Sequence, residues 1–130
     1  MLLLLEVPIV RPWKIFLVPS PRSSKAKGRK LQNWVRDALR GAFPALEEDD
    51  IKSQTMGMTG EDIVLSPAAR KEIPFSIECK NVERLSFWKS VEQCESNCKE
   101  ELSPVLIVKK NRKDPYVSIP FPTFLKLITR

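Results

Sequence analysis

The chain contains no histidine among its 130 residues. This absence excludes histidine-based catalytic triads, histidine general bases, haem ligation through histidine and zinc fingers built from cysteine and histidine. Any chemistry must therefore run on carboxylates, lysines, hydroxyls or thiols.

Long apolar runs are also missing. The longest N-terminal run, Leu2 to Leu5, is interrupted by Glu6 and Pro8. It is far shorter than the roughly 20 apolar residues that a membrane span needs, and no basic segment precedes it as in a signal peptide. The three cysteines are an odd number, which is typical of reduced thiols. We therefore predict a cytoplasmic protein without a membrane partner.

Cys94 and Cys98 are four residues apart, so they are predicted to share one face of a helix and to pack there. Two thiolates do not complete a zinc site.

The positive charge is concentrated in one part of the chain. A length of 130 residues suits a single domain, and the formal net charge is +6. Residues 1–46 hold nine Lys and Arg against two acids, whereas residues 47–130 hold thirteen against fourteen. This asymmetry favours a polyanionic partner for the first third of the chain.

The hydrophobic pattern predicts an α/β protein. A helix is expected from Ser23 or Ser24 to about Gly41, with Leu31 and Val35 on its apolar side. Strands are predicted over 51–55, 62–66, 74–80, 104–109 and 116–119, a short turn or helix over 67–72, and helices over 86–101 and 122–130. Trp13, Trp34 and Trp88 are expected to be core or interface anchors.

Acidic residues and a lysine occur near the ends of two predicted strands. Residues two apart on a strand share a face, so Glu78 and Lys80 are neighbours while Cys79 points to the opposite layer. If the preceding strand pairs with this one, Asp62 approaches Glu78. A divalent cation such as Mg²⁺ relieves the repulsion between two such carboxylates, and a lysine can orient an attacking water. Alone, Glu78 and Lys80 also fit a surface ion pair worth little.

Gly60-Glu61-Asp62 followed by Ile77-Glu78-Cys79-Lys80 resembles the PD-(D/E)XK nuclease superfamily. The order of elements resembles that superfamily's core, a restriction-endonuclease-like fold with a central mixed β-sheet flanked by helices. More narrowly, the chain is similar to the archaeal-type Holliday junction resolvases and to small phage endonucleases. The similarity covers about residues 24–110, with matching stretches at 25–32 and 91–93.

The resemblance implies roles for five residues. Asp62 and Glu78 would be metal ligands, with the carbonyl of Cys79 as a third, and the metal would be Mg²⁺, with Mn²⁺ as a substitute. Lys80 would position the attacking water or stabilise charge that develops on the phosphate. Gln93 would support the site from the following helix.

Two residues depart from the family pattern. Glu61 replaces the usual proline and adds a candidate outer carboxylate. Gln32 stands where the resolvases tend to place a glutamate in the first helix, so it is a candidate first-helix site residue. One fewer carboxylate weakens the case for a second metal.

The leading hypothesis is a Mg²⁺-dependent endodeoxyribonuclease that selects branched DNA, as a Holliday junction resolvase does in DNA recombination and repair. A junction has two symmetric scissile phosphates, which predicts a homodimer. Residues 1–22 would be an N-terminal strand or arm and a candidate dimer contact, and residues 23–130 the nuclease domain. If a phage encodes the chain, it would act in the host cytoplasm. Predicted contacts to DNA phosphates are Lys25, Lys27, Arg29, Lys30 and Arg36.

Two alternatives remain open at this point. One is a nickase or exonuclease of the same fold without a junction preference. The other is a non-catalytic nucleic-acid-binding module, which the Gln32 departure motivates.

Overall fold

The computed structural model describes residues 24–130. The helices are α1 (Ser24–Ala42), α2 (Pro67–Glu72), α3 (Phe87–Asn97) and α4 (Phe121–Ile128). The strands are β1 (Ile51–Ser53), β2 (Ile63–Leu65), β3 (Phe75–Asn81), β4 (Ser103–Lys109) and β5 (Tyr116–Ser118). This is the mixed α/β architecture that the sequence predicts, and it is compatible with a restriction-endonuclease-like fold.

The strands form two ladders. β1 and β2 are antiparallel, with Ile51 opposite Leu65. β4 lies between β3, which is parallel to it, and β5, which is antiparallel to it. A middle strand covered on both faces should be a continuous apolar run, and Val105, Leu106 and Ile107 are all buried.

The Asp62 strand and the Glu78 strand, whose pairing is one condition under which Asp62 would approach Glu78, do not form a ladder with each other. In the described chain β2 pairs with β1, and β3 pairs with β4. Contact between the two ladders includes one backbone hydrogen bond just before β2, in which the Asp62 N–H donates to the Ile77 carbonyl at 3.0 Å. Asp62 therefore contacts β3 at the boundary of the two ladders without being part of its ladder.

The core lies between α1 and the strands. Leu31 and Val35, four residues apart on α1, are buried against Ile63, Ile77 and other apolar side chains. Cys79 belongs to the same core, as its position on β3 predicts.

Several predictions about aromatic and thiol side chains are corrected or fall outside this region. Trp34 packs against the core, but Trp88 is 73% exposed and is not a core residue. Its ring makes an edge contact with Phe87. Cys98 caps the end of α3 instead of lying within the helix, because α3 already ends at Asn97. Trp13 and the predicted arm of residues 1–22 lie outside the described residues.

None of the helices within residues 24–130 is long and apolar enough to cross a membrane.

Candidate active site

A cavity of about 350 Å³ opens where α1, the turn before β2, β3 and α3 meet. Its lining combines the predicted site residues with the glycine-rich turn: Gly28, Gln32, Met56, Met58, Thr59, Gly60, Asp62, Glu78, Cys79, Lys80, Gln93 and Asn97. All five residues to which the resemblance assigns a role therefore line one cavity, and so does Gln32.

The turn before β2 delivers Asp62 to the cavity. Gly57 and Gly60 have φ values of 86° and 103°, in a region that favours glycine. The Asp62 carbonyl accepts a hydrogen bond from the Gln54 N–H at 2.8 Å, and its Oδ2 accepts one from the Cys79 N–H at 2.7 Å. Both its backbone and its carboxylate are thus fixed.

Glu78 occupies the middle of β3 and is only 5% exposed. Burial is the main reason that its pKa rises from 4.5 to about 7, and the negative charge of Asp62 adds to the rise. Asn97 donates from Nδ2 to Glu78 Oε1 at 3.2 Å and opposes that shift. Burial also raises the pKa of Asp62, although the hydrogen bond from Cys79 lowers it. The charge of Asp62 therefore disfavours the charged form of Glu78, whereas a hydrogen bond with Glu78 lowers the pKa of Asp62.

Lys80 lines the cavity with Glu78, as their spacing on one strand predicts. Its Nζ donates to Gln93 Oε1 at 2.8 Å. This bond joins β3 to α3 and holds the ammonium at the cavity. Gln93 thereby contacts the one cation among the residues that line this cavity.

Gln32 enters the cavity from α1 and is 7% exposed. A hydrogen bond from its side chain is among the weaker influences that lower the pKa of Asp62. Its Oε1 is buried and has no hydrogen-bond partner. Because most buried polar atoms in proteins are satisfied, this oxygen marks a place for a further donor or cation.

The backbone of Cys79 adds another oxygen. In an extended strand the N–H and C=O of one residue point to the same edge. The Cys79 N–H bonds to Asp62, so its carbonyl also faces away from β4, towards the Asp62 side. Its thiol is buried in the core and has a raised pKa, mainly through burial, so it remains a neutral packing group.

The donor set fits a hard divalent cation. The buried carboxylate of Glu78, the half-buried one of Asp62, the Gln32 amide oxygen and the Cys79 carbonyl offer oxygen ligands. Mg²⁺ accepts a few such ligands together with several waters. Within residues 24–130 there is no group of three or more Cys, Asp and Glu side chains placed to hold a metal.

Glu61 is not an outer carboxylate of this cavity. Its Oε1 accepts a hydrogen bond from the Arg70 guanidinium in a largely buried ion pair. Arg70 also donates to the Phe75 carbonyl at 3.0 Å. Glu61 therefore joins the turn to α2 and the start of β3.

The five cations predicted to contact DNA have different surroundings. Lys25 and Arg29 are exposed on α1, while Lys30 is half-buried. Lys27 lies 3.9 Å from Glu83, and Arg36 bonds to Asp37 at 2.9 Å and Asn33 at 3.2 Å. None of the five lines the cavity, although Gly28, which lies between Lys27 and Arg29 in the chain, does.

Asn97 is a site residue that sequence reasoning missed. It bonds to Glu78 from the last position of α3. Gln93 and Asn97 are four residues apart, a spacing that places both on one face of the helix. That spacing was the available signal.

The model of the family described as "phage putative PDDEXK endonuclease" matches residues 23–129. The chain belongs to this family. The match covers all the residues that line the cavity, and it supports membership of the PD-(D/E)XK superfamily. Family membership indicates a nuclease that acts on DNA, and PD-(D/E)XK nucleases generally use divalent metal ions. No curated protein and no solved structure matches the chain.

Proposed function

We propose that the protein is a Mg²⁺-dependent DNA endonuclease, with Mn²⁺ as an effective substitute, and that it prefers branched DNA as Holliday junction resolvases do. The observation that carries the proposal is the pairing of the half-buried Asp62 with the buried Glu78 in one cavity with Lys80. In an apo protein this pair is costly, and a divalent cation would make both charged forms favourable.

Each side chain has a proposed role that follows from its contacts. Asp62 and Glu78 would hold the metal together with the Cys79 carbonyl, and the Gln32 oxygen would contact it or its water shell. A bound divalent cation would lower the pKa of an attacking water and neutralise charge on the scissile phosphate.

Lys80 would place its ammonium beside the scissile phosphate and stabilise the negative charge that develops there. Gln93 would keep that ammonium in position, because Lys80 Nζ already donates to its side-chain oxygen. Asn97 would hold one oxygen of Glu78 and leave the other for the metal.

Branch selectivity and a homodimer belong to the same proposal. A junction has two symmetric scissile phosphates, and two copies of a one-site domain can cut both. The described surface offers an apolar area for a second copy around α4, where Phe121 is 67% exposed and Ile128 60% exposed. Light scattering tests this point, and a stable particle of one chain would contradict it.

The test of function is cleavage of a four-way junction, a flap, a linear duplex and a single strand of matched sequence. Each substrate is incubated with EDTA, Mg²⁺ or Mn²⁺. We expect metal-dependent cleavage with the junction cut fastest. Asp62→Asn, Glu78→Gln and Lys80→Ala should abolish it, whereas the exposed matched controls Asp49→Asn, Glu92→Gln and Lys89→Ala should not.

Each contrary result removes a defined part of the proposal. Equal cleavage of linear and branched substrates would remove junction selectivity and leave a nickase or exonuclease of this fold. Binding without cleavage by the wild type would leave a nucleic-acid-binding module. Normal cleavage by all three site variants would show that the cavity is not the active site.

A further inference from the structure

A second basic surface lies outside the cavity, where β3 and β4 end and the β4–β5 turn begins. It comprises six cations from α1, β4 and the turn, which we call the turn patch: Lys27, Lys30, Lys109, Lys110, Arg112 and Lys113. Four of the six belong to the second part of the chain, whose net charge is close to zero. The fold thus joins them to the basic helix.

Lys109 connects the two halves of this surface. It ends β4, is 8% exposed, and donates from Nζ to the Lys110 carbonyl at 2.9 Å. Burial lowers its pKa, and the positive charges of Lys30 and Lys27 lower it further. Ammonium groups from α1 and β4 therefore lie close enough to repel one another.

The turn itself has a defined shape that presents its cations outwards. The Lys113 N–H donates to the Lys110 carbonyl at 3.2 Å, and the Asn111 N–H donates to Glu83 Oε2 at 3.0 Å. Arg112 has a φ of 65°, the left-handed conformation that a non-glycine residue adopts at some energetic cost. Lys110, Arg112 and Lys113 are all exposed.

The acids near the turn patch balance only part of this charge. Glu83 and Asp114 are the acidic groups that raise the pKa of Lys109. Glu83 is shared between Lys27 and the Asn111 N–H. The first turn of α1 has no acidic residue, although a helix N-terminus favours negative charge. Six cations against two acids make this surface suited to a polyanion.

The turn patch also adjoins the proposed active site. Lys27 is followed directly by Gly28, which lines the cavity. The Lys27 carbonyl accepts a hydrogen bond from Asn81 Nδ2 at 3.0 Å, and Asn81 follows Lys80 on β3. A DNA strand whose scissile phosphate lies beside Lys80 would continue over this surface.

We propose that the turn patch binds backbone phosphates of the DNA duplex outside the active site, with Lys110, Arg112 and Lys113 as its exposed contacts. This inference rests on the proposed function. Lys109 acts as a positioning residue, because its ammonium holds the carbonyl of the first turn residue. Such contacts are independent of base sequence and supply salt-dependent affinity.

The test compares two triple variants of the full chain that carry the same net charge. One removes the exposed cations of the patch, as Lys110→Gln with Arg112→Asn and Lys113→Gln; asparagine tolerates the left-handed conformation. The other is Lys71→Gln with Lys99→Gln and Lys126→Gln. Lys71 and Lys99 precede β3 and β4, so they lie by the opposite ends of these strands. All three control residues are exposed.

Binding of a labelled 30-base-pair duplex is measured by fluorescence anisotropy in EDTA over a series of salt concentrations. For the patch variant, the slope of log affinity against log salt should fall by about three, and affinity at moderate salt by about tenfold or more. The control variant should change the slope by less than about one. In cleavage assays the patch variant should raise KM while kcat at saturating DNA is retained.

Equal losses in the two triple variants would overturn the inference, because they would show an effect of net charge alone. An unchanged slope in the patch variant, or no duplex binding by the wild type, would overturn it as well. Failure of the proposed function looks different. In that case the wild type binds DNA without ever cutting it, while only the patch variant loses salt-dependent affinity. That result would support the turn patch and refute the nuclease.

Discussion

Glu61 and Asp62 are neighbours in the chain, yet the protein surrounds their carboxylates in opposite ways. Arg70 donates a hydrogen bond to Glu61 in an internal ion pair. Asp62 instead meets another carboxylate, the buried Glu78, while the ammonium of Lys80 bonds to an amide. The first arrangement holds the turn before β2 against α2. The second is unfavourable in isolation, which is characteristic of a site that needs a ligand.

The largest expected effect is the loss of DNA cleavage when the carboxylate of Asp62 is removed. Asp62→Asn removes a negative charge that the proposed metal site needs, so cleavage of the preferred DNA should fall by at least about 10³-fold. Glu61→Gln changes a carboxylate that lies outside the cavity, and its cleavage rate at low temperature should stay within about threefold of wild type. Single-turnover assays in Mg²⁺ measure both.

Equal losses in these two variants would break the distinction between the neighbouring carboxylates. Circular dichroism of each variant at the assay temperature is the required control, because an unfolded Glu61→Gln protein would imitate a catalytic loss.

For stability we expect the opposite order, with Glu61→Gln more damaging than Asp62→Asn. Glu61→Gln leaves the half-buried Arg70 guanidinium without its anion, at a cost of about 3 kcal/mol in the free energy of unfolding. Asp62→Asn relieves repulsion with Glu78 and should leave the metal-free protein at least as stable as wild type. Urea unfolding in EDTA measures both.

A double-mutant cycle sharpens this prediction. Glu61→Gln combined with Arg70→Met should be more stable than the sum of the two single losses allows. Simple additivity would show that the ion pair does not account for the loss.

The carboxylate pair should also make stability depend on pH. Burial raises the folded-state pKa of Glu78 from 4.5 to about 7, and the pKa of Asp62 rises as well. The folded protein then binds more protons than the unfolded chain. The metal-free protein should therefore lose on the order of 3 kcal/mol as pH rises from about 4.5 to beyond 7.

Adding Mg²⁺ or Mn²⁺ should oppose that loss, with a larger rise in Tm at pH 8 than at pH 5.5. Glu78→Gln is the control, because it removes the titrating group and should flatten the profile. A wild-type Tm that rises with pH through this range in EDTA would contradict the assignment.

Most of the fold could be predicted from the sequence because its signals are local. The 3.6-residue periodicity of α1 and the apolar run of β4 each specify an element without reference to the rest of the chain. The pairing of β2 with β1 was not predictable in this way, because strand partners depend on distant contacts. Similarly, nothing local signals that Trp88 stays exposed.

In the candidate site too, the residues with local sequence signals were predictable, whereas those that depend on distant contacts were not. Asp62, Glu78 and Lys80 were predicted because strand alternation and a known motif locate them, and the structure brings them to one cavity. The pairing of Glu61 with Arg70 depends on how α2 returns against the turn, so the sequence alone predicts Glu61 as a candidate outer carboxylate. Asn97 required an exact helix end, which sequence patterns place poorly.

The smallest expected effect concerns Gln93. Arg70 forms an ion pair with the carboxylate of Glu61, whereas Lys80 donates to Gln93 and not to a carboxylate. Gln93 accepts the hydrogen bond of the Lys80 ammonium. In Gln93→Ala that ammonium is free to approach Glu78, which should lower the raised pKa of this carboxyl and weaken the loss of metal-free stability between pH 5 and 8. Cleavage should slow by about tenfold, since Lys80 is no longer held beside the phosphate. Glu92→Ala, at the exposed neighbouring position, should change neither quantity. If Gln93→Ala slows cleavage but leaves the pH profile of stability unaltered, Gln93 does not hold Lys80 apart from Glu78. The contrast between the surroundings of Glu61 and Asp62 then has another cause.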